Sequence, residues 1–257
     1  MSVAVQIFGL FFASCAIGAV CAVATPPRQI SIVLAVIGTF SSALILAAAT
    51  LLLVGDNPFR IELWYVLGLG RLVLSADRLS ALFLATAGLV FLPVSIFSGV
   101  YLTKYRAHYD LRYFGVLYHL LLASIVLILI AADAVSFLIS WEFMSIASYL
   151  LVNYEHERED SSHAGFVMLA MSEAGTIAIV VAFILAAGSA GSLEFDQMRS
   201  AGQLSPGIGW TVFLLSFFGF AVKAGLVPVN SWLPLARVRW RHCPARPEPA
   251  QATAPIS

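Results

Sequence analysis

The sequence predicts an all-α integral membrane protein of about seven transmembrane helices, and three observations lead there. Of 257 residues, 60% are apolar and 11% are charged, against about 45–50% and about 25% in soluble domains. The apolar residues fall into seven long runs, each near or above the roughly 20 residues that cross a hydrocarbon core about 30 Å thick. The charges, 14 basic and 14 acidic, gather almost entirely in the connections. Their zero balance argues against a nucleic-acid-binding face and against a polybasic protein of the membrane surface.

The runs are Val3–Ala24, Ile30–Val54, Leu79–Leu102, Tyr113–Ala132, Ala134–Tyr154, Ala164–Ala187 and Trp210–Leu235. The first ends in Ala22-Val23-Ala24, which imitates a signal-peptidase site. Its apolar run is long for a signal peptide, however, and Met1-Ser2 offers no basic n-region, so a retained helix is expected. Cys15 and Cys21 lie six apart inside that helix and Cys243 is far away. Such spacing suits small buried side chains rather than a metal or redox site.

Between the second and third runs, Ile61 to Leu67 and Arg71 to Leu74 are strand-like and flank Gly68-Leu69-Gly70. A short β-hairpin on the outer membrane surface is expected here. As a phosphate loop the glycine pair is too short, with no third glycine and no following Lys-Ser or Lys-Thr. The fourth and fifth runs are separated only by Asp133. The dense run Glu155 to His163 is read as a solvated cytoplasmic loop, because crowding alone supplies no converging metal geometry.

Basic residues set the orientation. One side collects Arg28, Lys104, Arg106, Arg112 and Arg158 with Arg237, Arg239, Arg241 and Arg246, and the other Arg60, Arg71, Arg78 and Arg199. The N-terminus is therefore expected outside.

Three formal charges remain at membrane depth: Glu142, Glu173 and Lys223. Each costs about 2.5–3.5 kcal/mol at a helix centre on insertion scales, so such residues usually face a bundle interior or a water path. His119, about a third of the way into the fourth run, adds a titratable group. Ser145 and Tyr149 share the helical face of Glu142, and Ser172 and Thr176 lie beside Glu173. For Glu142 the competing structural reading is a protonated carboxyl bonded to a neighbouring helix. For Glu173 a structural role weighs as much as a functional one.

Lys223 precedes Ala224-Gly225-Leu226-Val227-Pro228. Pro228 removes a backbone donor and clashes with the carbonyl four residues back, so the seventh helix should break near mid-membrane. Broken membrane helices are tolerated where they line a cavity, and the carbonyls ending the first half favour a cation. A lysine snorkelling to the surface is the competing reading, disfavoured by a depth of roughly 20 Å from Trp210 at 1.5 Å per residue. Desolvation favours the neutral forms of a buried Glu and Lys while their attraction favours the charged ones, so small movements could shift a proton between them. No haem, flavin, iron–sulfur or nucleotide motif is present, so no cofactor is expected and any redox chemistry belongs to another subunit.

Two stretches, Trp141-Glu142-Phe143-Met144-Ser145-Ile146-Ala147-Ser148-Tyr149-Leu150-Leu151 and the run Gly219 to Pro234 around Val222-Lys223-Ala224-Gly225-Leu226-Val227-Pro228, resemble the antiporter-like membrane subunits of respiratory complex I, Mrp-type cation/proton antiporters and membrane-bound hydrogenases. The wording is most similar to the antiporter-like membrane subunit of hydrogenase-4 and its formate hydrogenlyase counterpart. The resemblance implies a proton half-channel with Glu142 and Lys223 as the relay pair and a helix break at Gly225 and Pro228. It also implies a surface hairpin after the second helix, a plasma-membrane location, and partners among other membrane and peripheral subunits. It carries no role onto Glu173, and the family's relay groups on the eighth and twelfth helices have no positions here.

The resemblance covers residues 3–236, the N-terminal half of an antiporter-like fold. Beyond it, residues 237–257 are Arg/Pro-rich and expected to be disordered. A truncated or frameshifted half is the expectation, with the missing helices encoded in a neighbouring frame. The function implied is a non-catalytic proton-translocating subunit of an oxidoreductase complex. The alternatives are a Mrp-like sodium/proton antiporter subunit, or an inactive remnant serving as membrane anchor. A free-standing solute carrier is disfavoured by the lack of a substrate-sized polar cluster.

Overall fold

The computed structural model describes residues 3–26, 29–55, 58–66, 70–104, 110–154, 159–201 and 204–226. The chain runs α1 (Val3–Ala24), α2 (Ile30–Val54), β1 (Phe59–Val66), β2 (Gly70–Ala76), α3 (Arg78–Tyr101), a 3-10 turn at Leu102–Lys104, α4 (Leu111–Ile130), α5 (Ala134–Val152), α6 (Glu159–Ala190), a short α7 (Phe195–Ser200) and α8 (Pro206–Ala224). Among the described residues, seven helices are long and apolar enough to cross a membrane. The protein is a multi-pass integral membrane protein, and α8 is its seventh span.

Single polar residues punctuate the apolar sequence and start the helices. Asp77, Asp110 and Asp133 each accept a hydrogen bond from a backbone N–H of the first turn, at Ser80 (2.8 Å), Arg112 (3.0 Å) and Ser136 (2.8 Å). Each aspartate thereby satisfies a donor that no helical carbonyl can reach. At the start of α8, Pro206 occupies the first turn, where a missing N–H costs nothing.

Packing follows membrane rules. Large side chains such as Val20, Val36, Phe97 and Phe213 face outward, while Ser31, Ser41, Ser42 and Ser95 are fully buried. Ser41, Ser42 and Ser95 satisfy their hydroxyls on the carbonyl one turn back, at 2.7–2.9 Å. Small polar residues inside let helix backbones approach without an unpaired polar group in hydrocarbon. Helices α1 to α4 enclose a core including Phe8, Phe11, Ile45, Leu84, Leu122 and Val126. On the far side of α4 lies α5, followed by α6 and α8.

The hairpin is present and antiparallel, from Phe59↔Ala76 to Val66↔Gly70, with a bulge between Glu62 and Trp64. Gly70 sits at φ +92°, a conformation that favours glycine. The strands are tied down rather than merely laid on the surface. Val73 N–H donates to the fully buried Asp133 carboxylate at 2.7 Å, and its carbonyl accepts from Ala132 N–H at 2.9 Å. Arg60 on β1 binds Glu194, just before α7, and Asp196 in its first turn. One knot therefore joins β1, β2, the α4–α5 junction and the α6–α7 connection.

One expected boundary shifts. The run read as a loop to His163 is helical from Glu159, because acidic and polar residues are favourable at a helix N-terminus and need not end where the hydrocarbon does. The seventh run was expected to reach Leu235 with a break at Gly225 and Pro228; α8 stops at Ala224, with Gly225 as its C-cap. Pro228, the second half of that expected helix, and the tail 237–257 lie outside the described residues. The short α7 falls in a connection where no helix was expected.

Candidate functional site

The site begins with an absence of side chains. Helices α6 and α8 cross at Gly175 and Gly219, where a Cβ on Gly219 would lie 2.6 Å from the Gly175 carbonyl oxygen and one on Gly175 3.1 Å from the Gly219 oxygen. Close approach of this kind is the usual use of glycine between membrane helices. One turn beyond Gly219 stands Lys223, and just before Gly175 stand Ser172 and Glu173. The crossing brings these residues to one another.

Lys223 Nζ donates to Ser145 Oγ of α5 at 2.6 Å and to Ser172 Oγ of α6 at 3.0 Å. Ser172 Oγ donates to Ser145 Oγ at 3.2 Å, and Ser145 Oγ donates in turn to the Trp141 carbonyl at 2.9 Å. Each hydroxyl uses its one proton and accepts on its lone pairs, so the three side chains form a directed chain. The ammonium also lies 5.3 Å from the centroid of the Trp141 ring, within range of a cation–π attraction. That ring is buried and stacks with Phe137 while meeting Phe220 of α8 edge-on.

Beside this cradle is a cavity of about 120 Å³ lined by Ser145, Ser148, Met168, Leu169, Ser172, Val222 and Lys223. It is polar along one wall and large enough for several waters.

Of the residues singled out in the sequence, the structure brings three together. Glu142 on α5 and Glu173 on α6 lie within electrostatic reach of each other and of Lys223. The lysine is not in a direct ion pair with either. Among the described residues the ion pairs are Arg60–Glu194, Arg60–Asp196 and Arg71–Glu62. Glu142 Oε1 is buried and has no hydrogen-bonding protein donor.

Gly225 ends α8 in the left-handed region at φ +69°, with Leu226 N–H bonded to Ala221 O at 3.0 Å and Gly225 N–H to Val222 O at 3.3 Å. This pair of bonds is a Schellman cap. Lys223 therefore occupies the last turn, where helix carbonyls favour a cation. Tyr149, expected to share the polar face of Glu142, is half-buried.

His119 does not join the site. It is fully buried on α4, its Nδ1 is 2.9 Å from the Gly115 carbonyl, and its ring packs against Gly18 of α1. Sequence reasoning missed Trp141 as a neighbour of the ammonium, and Ser148, Met168 and Leu169 as cavity walls. Trp141 stands next to Glu142 in the very stretch that carried the resemblance, which is the one signal that could have drawn attention to it.

Residues 131–239 match the transmembrane family described as NADH:quinone oxidoreductase/Mrp antiporter, and Glu142, Glu173 and Lys223 all lie in that stretch. The chain is 35% identical over 181 residues to hydrogenase-4 component B of Escherichia coli (strain K12), covering 70% of this chain and 26% of that protein. It is 30% identical over 136 residues to NADH-quinone oxidoreductase subunit N of Deinococcus radiodurans, covering 51% and 27%. These matches span about a quarter of the length of the curated relatives. The fold is similar to a chain of the membrane-bound sulfane sulfur reductase, an archaeal respiratory membrane complex, with a TM-score of 0.73 at 21% identity over 91% of this chain and 47% of that one. Architecture, motif and sequence agree that the chain is an antiporter-like membrane protein, whose residues 131–239 match the NADH:quinone oxidoreductase/Mrp antiporter family.

Proposed function

We propose that the chain is a membrane subunit of a proton-translocating oxidoreductase complex of the hydrogenase-4, formate hydrogenlyase or complex I kind. Protons pass through a relay in which Glu142 and Lys223 exchange them, coupled to electron transfer in partner subunits. The observation that carries this reading is the Lys223 ammonium, held in the last turn of α8 by Ser145 and Ser172 beside a cavity large enough for several waters. A membrane lysine that were merely structural would pair directly with a carboxylate or reach the surface; this one rests on neutral hydroxyls, from which a proton can leave.

In this reading the partners are further membrane and peripheral subunits, as the names of the relatives suggest. The location is the plasma membrane with the N-terminus outside, and residues 1–236 act as one transmembrane domain. The family description also names Mrp antiporters, and that supports a second reading in which the same pair exchanges sodium for protons.

The test is proton translocation by the complex in proteoliposomes, read with a pH-sensitive dye, for the wild type, Glu142→Gln and Lys223→Ala. Either substitution is expected to slow translocation on the order of 100-fold, the typical contribution of a positioned proton-transfer group. Wild-type rates in both variants would refute the relay, and a strict sodium requirement in the wild type would favour the antiporter reading.

A further inference from the structure

Within the relay reading, on which this inference rests, nothing yet accounts for how firmly Lys223 keeps its proton. Among the described residues the ammonium is in no direct ion pair, and it donates to two neutral hydroxyls, those of Ser145 and Ser172. We propose that the π face of Trp141 stands in for a contacting counter-charge. Trp141 is then a positioning residue: its ring holds Lys223 as an ammonium and so sets the pH range over which the relay works.

Three observations lead to it. The first is proximity. Lys223 Nζ lies 5.3 Å from the centroid of the Trp141 ring, inside the roughly 6 Å over which a ring face attracts a cation. Tryptophan is the strongest such partner and the attraction grows as the pair is desolvated; Trp141 is buried, at 7% exposure. The second is fixation. The ring stacks with Phe137 of α5 at 5.3 Å between centroids and meets Phe220 of α8 edge-on at 5.7 Å. Phe137 in turn meets Phe183 of α6 and Phe195 of α7 edge-on. Aromatic rings from four helices thus hold the indole in place whether or not a proton is on the lysine. The third is the indole N–H. Trp141 Nε1 is buried with no hydrogen-bonding protein acceptor, whereas a buried tryptophan kept for its donor normally bonds it. This ring is placed by its face. The backbone of the same residue works in the same direction, since the Trp141 carbonyl takes the Ser145 hydroxyl proton and leaves Ser145 Oγ to Lys223 as an acceptor.

A ring face attracts the lysine only while it is charged, so the attraction is lost when the proton leaves and regained when one returns. For a desolvated pair its size corresponds to about a tenfold change in proton affinity, or about one pH unit. The titratable groups that act on Lys223 from the packed helices are Glu142 of α5 and Glu173 of α6, and α8 itself carries no other titratable side chain. Both carboxyls are left in place by a change at position 141. The contribution of the ring is therefore read as a difference between variants that share them.

The experiment titrates Lys223 directly. Lys104 and Lys223 are the only lysines in the sequence, so labelling the lysine side-chain nitrogen of the full chain in lipid nanodiscs gives a signal for each, and Lys104→Arg assigns them. Fluorine atoms added stepwise to the Trp141 ring withdraw electron density from its face while keeping its shape. Because the indole N–H has no protein acceptor, they act on the lysine through that face. The titration midpoint of Lys223 should fall with each added fluorine, by about one pH unit in the most fluorinated ring. Trp141→Leu should fall as far, with Trp141→Phe between it and the wild type. In proteoliposomes the alkaline limb of translocation by the complex should move down with the midpoint. A midpoint indifferent to fluorine overturns the proposal, even if Trp141→Leu shifts it, because the ring would then act by its shape. An alkaline limb that stays in place while the midpoint moves overturns the claim on the working pH range. If the midpoint follows the fluorines and Lys223→Ala still translocates at the wild-type rate, the relay fails while the hold of the ring on the ammonium stands.

Discussion

Lys223 Nζ donates a 2.6 Å hydrogen bond to Ser145 Oγ, joining residues 78 positions apart. A hydrogen bond from a charged donor contributes about 1.5–3 kcal/mol. Ser145→Ala is therefore expected to lower stability by about 1–3 kcal/mol and to do more harm than Ser172→Ala, whose bond to the ammonium is longer at 3.0 Å. Because Ser172 also donates to Ser145, the double variant should lose less than the sum of the two. Thermal unfolding of the purified chain in detergent reads all three, and strict additivity would show that the hydroxyls act independently.

Gly219→Ala should separate α6 from α8. The added methyl would meet the Gly175 carbonyl and the Ile179 side chain, and backbone cannot move aside as a flexible side chain can. Overpacking of this sort costs about 1–3 kcal/mol. The milder contact at Gly175 places Gly175→Ala below it. Since the crossing positions Lys223, translocation should fall along with stability, and a Gly219→Ala variant with unchanged unfolding temperature would contradict the packing account.

Asp133 caps α5 with one carboxylate oxygen and holds Val73 of β2 with the other. Asp133→Ala loses both bonds, a cost of about 2–4 kcal/mol. Asp133→Asn keeps one carbonyl oxygen for one donor and should lose about half as much. Hydrogen exchange at the Val73 amide separates the two functions: protection there should drop in both variants, and unchanged protection in Asp133→Ala would show that the strand is held by something else.

At the rim of the same knot, Arg60→Ala leaves the nearly buried Glu194 carboxylate without its partner. The expected cost is about 1–3 kcal/mol, visible as faster exchange along β1. Asp196 is largely exposed, and an exposed ion pair contributes about 0–1 kcal/mol. Asp196→Ala should consequently be close to neutral at physiological salt. Equal losses from the two changes would mean that the hairpin is held by its backbone bonds alone.

The spans were legible because a bilayer imposes length and composition together, and the polar residues that interrupt them, Asp77, Asp110 and Asp133, are also the ones that cap helices. The hairpin was legible from β-favouring residues around Gly68-Leu69-Gly70. The break was read at Gly225 and Pro228 together, because proline is the obvious breaker in sequence; α8 ends at Ala224, and the left-handed conformation of Gly225 closes the cap. The start of α6 was placed too late because charge was equated with loop.

At the site, helical periodicity placed Ser145 on the face of Glu142 and Ser172 beside Glu173. Periodicity identifies a face and not the helix that meets it. Nothing along the chain indicated that both serines hold Lys223 or that His119 belongs to a different interface.

By itself, the sequence determined that this is a multi-pass membrane protein with two acids and one base inside its long apolar runs, since charge and hydropathy are properties of each residue counted along the chain. Only the tertiary structure decided which of those groups meet. Their meeting depends on the Gly175–Gly219 crossing, where side chains too small to signal anything in sequence let two backbones touch and carry Lys223 onto the serines.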